Sequence, residues 1–284
     1  MSENEILDVT MEVTKEIAKD VYNDAGKPIA KPTGELLGLV PRAIKAALMP
    51  VEKWVIQREY NVEETKRLLE QKLENLSPDL IETPEPYIAV PALQYISYCM
   101  DNDELRDMYA NLLANSMNKV VKNGVHPGFV EIIKQLSPDE AKILKYMSNN
   151  HKVIPTISLQ YEMRGKGGIT IIENFSTVGE EAGCEFPYQL QKCFDNLCRL
   201  GLLYDAKGMR TFTDKRIYEP LKNHKNIVPF ATEKQAKLYG KEMFSFNESI
   251  IRLTSFGESF CSICIETQTK PILEDKVENK NDKL

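Results

Sequence analysis

Apolar residues recur every three or four positions through most of the first half of the chain, which is the spacing of one face of an α-helix. Residues 5–24 follow this pattern, with apolar side chains at Ile6, Val9, Val13, Ile17 and Val21. Pro41 and Pro50 each fit the first position of a new helix, so residues 33–76 are predicted to form three linked helices. The third of these is predicted to run over residues 51–76.

Prolines interrupt the helical pattern over residues 78–92, which are predicted to form a turn-rich connector. Pro91 is expected to open the next helix, and Asp101 is expected to cap the one after it. The apolar spacing predicts these helices, and a short third one, over residues 92–100, 104–121 and 129–136.

A capping box at Ser137 and Glu140 marks the start of the C-terminal half and predicts a helix over residues 138–148. Glycines at 165, 167 and 168 indicate a flexible loop. The remaining elements are predicted as strands over 153–159, 202–204 and 250–253 and as helices over 175–182, 187–200 and 256–265, the last opened by a second capping box at Ser255 and Glu258. Helix, glycine stop, strand, basic loop and strand is the order in which a winged-helix module ends.

The predicted fold class is therefore mainly α, with a helical N-terminal domain followed by a winged-helix-like α+β domain that holds a small β-sheet. The stretch 205–249 is long for a wing, and its residues 231–243 have a helical pattern, so the wing is predicted to carry an insertion. The domain boundaries are predicted at 1–33 (N-terminal helix and linker), 34–136 (helical domain), 137–266 (winged-helix-like domain) and 267–284 (disordered tail).

The charge distribution argues against a general nucleic-acid-binding protein. The formal net charge is −6, and residues 1–80 carry 11 Lys and Arg against 15 Asp and Glu. A nucleic-acid-binding face needs an excess of cations to release counterions from phosphates. The start of the chain lacks the positive residues of a secretory signal, and no apolar run reaches the ~18 residues that span a bilayer. We therefore expect a cytoplasmic protein.

Six cysteines lie mostly on apolar helix faces, and without an export signal they are expected to stay reduced. Cys261 and Cys264 have the spacing of half a zinc site, but no second pair with suitable spacing and no neighbouring histidine completes it. We therefore predict that both thiols pack in the core, and that the protein binds no metal and no cofactor.

Nucleic-acid contact is one open interpretation of the C-terminal half. The helix predicted at 188–200 lies where a winged helix reads DNA, but its exposed side chains are nearly neutral overall, so a packing role is favoured. If nucleic acid does bind, the candidate contacts are Lys192, Arg199, Lys207, Arg210, Lys215 and Arg216.

A second open interpretation concerns residues 34–57, where dense apolar residues alternate with cations and include Trp54, the single tryptophan of the chain. Such a segment can lie at a membrane surface or can pack against the helices that follow it. The candidate membrane or partner contacts are Leu39, Arg42, Ile44, Lys45 and Trp54.

No pattern in the chain predicts catalysis, and no catalytic residue is assigned. The three histidines lie in turns or polar loops, and their surroundings predict solvated side chains. No metalloprotease pair, phosphate-binding glycine loop or nucleophile elbow occurs in the sequence.

Four phrases of the chain resemble the abortive infection alpha family of bacterial anti-phage proteins: ELRDMYANLLANSM at 104–117, HPGFVEIIKQLSPDEA at 126–141, LCRLGLL at 197–203 and LTSFGESF at 253–260. Their order and spacing carry a resemblance over most of residues 25–265. The resemblance implies a bacterial or prophage-borne protein that defends against phage, and it supplies no catalytic motif.

The preferred hypothesis is a non-enzymatic defence protein that binds a protein partner or itself. The alternatives are a winged-helix nucleic-acid-binding regulator and a membrane-surface effector that acts through residues 34–57.

Overall fold

A computed structural model describes residues 59–99 and 101–266. The helix predicted at 5–24, the first two of the three linked helices and the predicted tail at 267–284 lie outside the described residues. The first half of the described chain is helical, as its apolar spacing predicts. Its helices are α1 (Glu59–Leu73), α2 (Pro86–Ile96), α3 (Asp103–Ser116), α4 (Gly128–Lys134) and α5 (Pro138–Asn149).

The connector predicted over residues 78–92 is too long, because helix α2 already begins at Pro86. Pro91, which was predicted to open the helix, lies inside it. Pro86 occupies the first turn, where the missing amide hydrogen costs no helical hydrogen bond, so the helix can start there. Pro91 removes only the bond to the carbonyl of Tyr87. Helix α3 is capped by Asn102, whose side chain accepts from the Leu105 amide at 2.9 Å, and not by Asp101. It is also shorter than the predicted 104–121.

Helix α3 lies at the centre of the molecule, because residues 108–116 are all buried. The capping box of α5 is confirmed: the Ser137 amide donates to Glu140 Oε2 at 2.6 Å, and the Glu140 amide donates to Ser137 Oγ at 3.3 Å. This cap fixes the start of the helix that leads into the sheet.

Four antiparallel strands form one sheet in the order β2-β1-β4-β3. Strand β2 was not predicted, since its glycines indicated a loop. Gly165 and Gly167 adopt φ of 68° and 73° and form the tight turn between β1 and β2, and the β-branched run after them continues as a strand. The strands are β1 (Val153–Met163), β2 (Gly167–Phe175), β3 (Leu203–Asp205) and β4 (Met243–Leu253).

The sheet is covered on one face at one of its ends and on the opposite face at the other end. Ile154 pairs with Ile251, and both lie in the main core with the helices. Further along, Leu159 pairs with Phe246 and Tyr161 pairs with Phe244; these residues pack under the segment that joins β3 to β4. We call that segment, residues 206–242, the insertion.

The helices around the sheet are shorter than predicted. Phe175 still belongs to β2, so the helix predicted at 175–182 is reduced to one turn. Gly240 has φ of 67° and Met243 begins β4, so the helix predicted at 231–243 also ends early. The C-terminal helix is capped by Thr254 and not by Ser255. The bounds are α6 (Val178–Glu181), α7 (Leu190–Arg199), α8 (Glu219–Lys222), α9 (Glu233–Leu238) and α10 (Ser255–Cys264).

The class is therefore a helix-rich α+β fold. The expected "mainly α" class is not confirmed, because two of the four strands are 11 residues long. A single core joins both halves of the described chain: α10 packs on α3, and the side-chain amide of Asn115 donates to the Ile263 carbonyl at 2.7 Å. The predicted domain boundary between residues 136 and 137 stays a prediction.

Candidate functional site

The predicted nucleic-acid contacts on α7 are exposed but make hydrogen bonds to neighbouring side-chain amides. Lys192 Nζ lies 3.2 Å from Gln189 Oε1. Arg199 donates to Asn196 Oδ1 at 2.6 Å and to Gln135 Oε1 at 3.0 Å. The outer face of α7 therefore offers two cations, and each already has a polar partner.

Carboxylates compensate much of the positive charge predicted for the loop after β3. Lys215 Nζ lies 2.7 Å from Glu248 Oε2, and Arg216 Nη2 lies 2.7 Å from Asp214 Oδ2. Lys222 adds a second cation 2.9 Å from Glu248. Burial acts to raise the pKa of Glu248, but the two lysines outweigh it and hold that pKa below its usual value.

Lys207 and Arg210 are the two exposed predicted contacts whose side chains form neither an ion pair nor a hydrogen bond with any residue in the described part of the chain. The six cations predicted to touch phosphate therefore do not form one open basic face. Each neutralised cation releases one counterion fewer from a nucleic acid.

A second cluster was not found from the sequence: Glu180, Tyr188, His224 and Lys225, which we call the Glu180 cluster. Tyr188 donates its hydroxyl to Glu180 Oε1. His224 Nε2 lies 3.4 Å from Glu180 Oε2, and Lys225 Nζ lies 3.9 Å from Oε1. The cluster connects α6 and the loop before α7 to the insertion.

The polar neighbours of His224 in the sequence predicted a solvated side chain, and this prediction is wrong, because most of the side chain is buried. Its side chain is 12% exposed, and its ring lies 5.0 Å from the ring of Phe175 and 5.8 Å from that of Tyr188. No local signal reveals these contacts, because their partners are distant in the chain.

The contacts of the Glu180 cluster fix the orientation of the His224 ring. The Asn226 amide donates to His224 Nδ1 at 3.2 Å, so the neutral ring carries its proton on Nε2, which faces Glu180. Both ring nitrogens therefore have protein partners: the Nδ1 lone pair accepts from the Asn226 amide, and Nε2 faces Glu180. The Tyr188 hydroxyl, with help from His224 and Lys225, holds the pKa of Glu180 below its usual value.

The predicted packing of the cysteine pair is confirmed, since Cys261 and Cys264 are both buried in the main core. Burial raises the pKa of Cys261 to about 12, which keeps the thiol protonated and unreactive in the core. Among the residues that the structure describes, no three His, Cys, Asp or Glu side chains lie close enough together to hold a metal ion.

The insertion is fixed to the sheet on its inner side, and its outer side exposes several apolar side chains among charged ones. The buried Tyr218 hydroxyl donates to the Ser249 carbonyl at 3.1 Å and accepts from the Phe212 amide at 3.0 Å. Leu221 and Ile227 pack on Ile157 of the sheet. The exposed apolar residues of the insertion are Met209, Ile217, Val228, Phe230, Leu238 and Tyr239.

The candidate membrane or partner contacts Leu39, Arg42, Ile44, Lys45 and Trp54 lie outside the described residues. No helix within residues 59–99 and 101–266 is long and apolar enough to cross a bilayer.

Comparison with curated proteins found no match. A solved structure of an uncharacterized protein from the hydrocarbon-degrading marine bacterium Alcanivorax borkumensis SK2 is similar at 19% sequence identity, covering 48% of this chain and 90% of that chain with a TM-score of 0.33. That score is too low to support any statement about this chain. The family model for abortive infection alpha matches residues 57–264, which include every helix and strand described above. The chain belongs to the abortive infection alpha family.

Proposed function

We propose that this protein acts in abortive infection without catalysis, by binding a protein partner through the outer side of the insertion. Membership of the family suggests the defence role. The single observation that carries the mechanism is that the insertion exposes apolar side chains on a segment whose inner side is fixed to the sheet. Exposed apolar groups on a rigid support are typical of protein-binding surfaces, because ordering them on binding costs little entropy.

The proposed contact surface consists of Tyr188, Val228 and Phe230, which we call the partner surface. The ring of Tyr188 lies 5.8 Å from that of His224, and the Val228 amide donates to the His224 carbonyl at 3.0 Å, so both residues contact the same histidine. The Phe230 amide donates to the carbonyl of the buried Ile227 at 2.9 Å, which fixes Phe230 beside them.

The non-enzymatic part of the proposal is supported by the state of the reactive groups. His224 has both ring nitrogens occupied, and burial raises the pKa of the Cys193 thiol to about 11. A base needs a free lone pair, and a thiol nucleophile needs a lowered pKa.

A winged-helix nucleic-acid-binding regulator is the second candidate. The strand order β1-β4-β3, with α5 before β1 and α7 before β3, supports a winged helix that is extended by β2 and by the insertion. Lys207 and Arg210 are its available phosphate contacts. The ion pairs of Lys215 and Arg216 make it the weaker proposal.

Phage plating tests the preferred proposal. Cells that express the protein are challenged with a panel of phages, and plaque counts and cell survival are compared for wild type, Val228→Asp and Met209→Asp. Val228 is 49% exposed and Met209 is 76% exposed, so neither aspartate is forced into the core. We expect Val228→Asp to lose protection and Met209→Asp to keep it, since that variant also puts a carboxylate in place of an exposed apolar side chain, but at a residue that is not part of the partner surface.

Thermal melting of both variants tests whether a loss of protection comes from unfolding. Full protection by a folded Val228→Asp variant would refute the partner surface. Loss of protection in a variant with Lys207 and Arg210 changed to Ala, together with loss of duplex binding, would favour the regulator.

A further inference from the structure

The end of the sheet away from the main core carries a second exposed surface, made of residues other than those of the partner surface. It is formed by the turn between β1 and β2 and by α9. The ring of Tyr239 lies 5.4 Å from that of the buried Tyr161, and Ile169 pairs with Tyr161 across the β1–β2 ladder. Ala236 is fully buried in the same cluster, so α9 is held against the sheet.

Three apolar side chains at this end remain in contact with solvent. Leu238 is 73% exposed, Tyr239 is 57% exposed and Ile169 is 39% exposed. Leu238 is the last residue of α9 and follows Lys234 by four positions, which places the two on the same side of that helix.

Cations surround these side chains. Arg164 and Lys166 lie on the β1–β2 turn, and Lys234, Lys237 and Lys241 lie in and after α9. None of the five forms an ion pair with a residue in the described part of the chain, in contrast to Lys215, Arg216 and Lys222. We call these cations and the three apolar residues the tip surface.

Three carboxylates lie nearby, those of Glu162, Glu233 and Glu242, and two of them already accept hydrogen bonds. Glu162 accepts from the Ser245 hydroxyl, and Glu242 Oε2 lies 3.4 Å from the Arg164 amide nitrogen. Five unpaired cations against three carboxylates leave the tip surface positive, on a chain whose formal net charge is −6.

We propose that the tip surface docks onto an anionic lipid membrane. Lysines and arginines attract the headgroups, while an aliphatic side chain and a tyrosine enter the boundary between headgroups and acyl chains. Leu238 and Tyr239 lie between Lys237 and Lys241 in the chain, so two apolar side chains are flanked by two cations, as this binding mode requires.

The same features fit two other occupants less well. A second copy that met this one tip to tip would bring five like charges against five. A nucleic acid would use the cations, but it would leave the exposed aliphatic groups of Leu238 and Ile169 without a role, because base recognition uses stacking and hydrogen bonds.

Vesicle flotation with the full chain tests this proposal. The probes are vesicles of phosphatidylcholine alone and vesicles that also contain phosphatidylglycerol, each at low and high salt. We expect the protein to float only with the vesicles that contain phosphatidylglycerol. Flotation should be weaker at high salt, because salt screens the attraction between the cations and the headgroups. One lysine near an anionic surface contributes about a fivefold gain in binding, so Lys234→Ala, Lys237→Ala and Lys241→Ala together should weaken binding about a hundredfold.

Two further variants make the test specific. Lys192→Ala, Lys207→Ala and Arg210→Ala together remove the same charge from residues outside the tip surface and should leave flotation close to wild type. Leu238→Ser with Tyr239→Ser keeps every cation and should also reduce flotation, because the apolar contact is lost.

Absence of flotation by the wild type would overturn the proposal. So would flotation that survives the three α9 substitutions, since that result would assign membrane binding to another part of the chain, such as residues 34–57. Binding of the wild type to duplex or single-stranded nucleic acid, lost in the α9 variant without any vesicle binding, would replace the lipid with a nucleic acid. None of these outcomes depends on the partner surface, which is tested in cells.

Discussion

Replacing Gly257 with Ala tests the contact that fixes α10 against β3. A Cβ atom at this position would overlap the Leu202 carbonyl oxygen and would lie 2.9 Å from the carbonyl carbon and 3.1 Å from the α-carbon of the same residue. These are backbone atoms of the turn between α7 and β3, which cannot rotate away as a side chain can. The helix must therefore move away from the strand.

The magnitude follows from the bonds that this movement breaks. The Thr254 amide donates to the Leu202 carbonyl at 3.0 Å, and the Gly257 amide donates to the Thr254 hydroxyl at 2.8 Å. Overpacking costs about 1–3 kcal/mol, and loss of a helix cap costs about 1 kcal/mol. We expect a fall in the free energy of unfolding of about 3 kcal/mol, which lowers Tm by about 6–12 °C in a chain of this size.

Thermal melting followed by circular dichroism, together with urea titration, measures this loss. Gly124→Ala is the matched control, since its Cβ would lie 3.5 Å from Ile263 Cδ1 on the same helix, which is an ordinary contact. A Gly257→Ala variant within about 0.5 kcal/mol of wild type, inside the range of neutral surface changes, would show that the close approach of α10 to β3 is wrong.

Three further predictions concern stability and chemistry. Leu253→Ala removes a buried side chain from the main core and should lower the free energy of unfolding by about 2–5 kcal/mol, independently of salt; an unchanged Tm would mean that this core is misplaced. Folding holds the pKa of Glu180 below the ordinary 4.5, so this carboxylate stabilises the fold above that pH and its contribution is lost as the pH falls through the lowered pKa; Glu180→Gln should flatten the acid side of the stability profile, and an unchanged profile would contradict the cluster. Elemental analysis should find no stoichiometric zinc, and a metal content that falls on Cys264→Ser would overturn the packing role of that thiol.

Local sequence signals predicted the elements whose chemistry is local. The capping box at Ser137 and Glu140 and the apolar face of α3 depend on residues within one or two turns of each other, so both could be read directly. Strand β2 was missed because a glycine run favours a loop and a tight hairpin turn equally, and the choice depends on pairing with β1.

The candidate sites were harder to predict, because their geometry depends on contacts between distant segments. The basic loop was recognised, but the carboxylate that neutralises Lys215 is on β4, 33 positions away. The sequence of α9 is that of any short polar helix. Ile169 comes close to this helix only through its pairing with Tyr161 in the sheet. Side chains that meet only through tertiary structure have no regular spacing in the sequence by which they could be recognised.

The hydrogen bonds between α3 and α10 also constrain how this chain folds during synthesis. The side-chain amides of Asn111 and Asn115 meet the carbonyls of Cys264 and Ile263, which follow 153 and 148 positions later. At roughly 5–20 residues per second, the ribosome makes α10 about 7–30 s after α3. During that interval the side of the central helix that packs on α10 has no partner, so the newly made helical half stays exposed to chaperones and proteases until α10 is made.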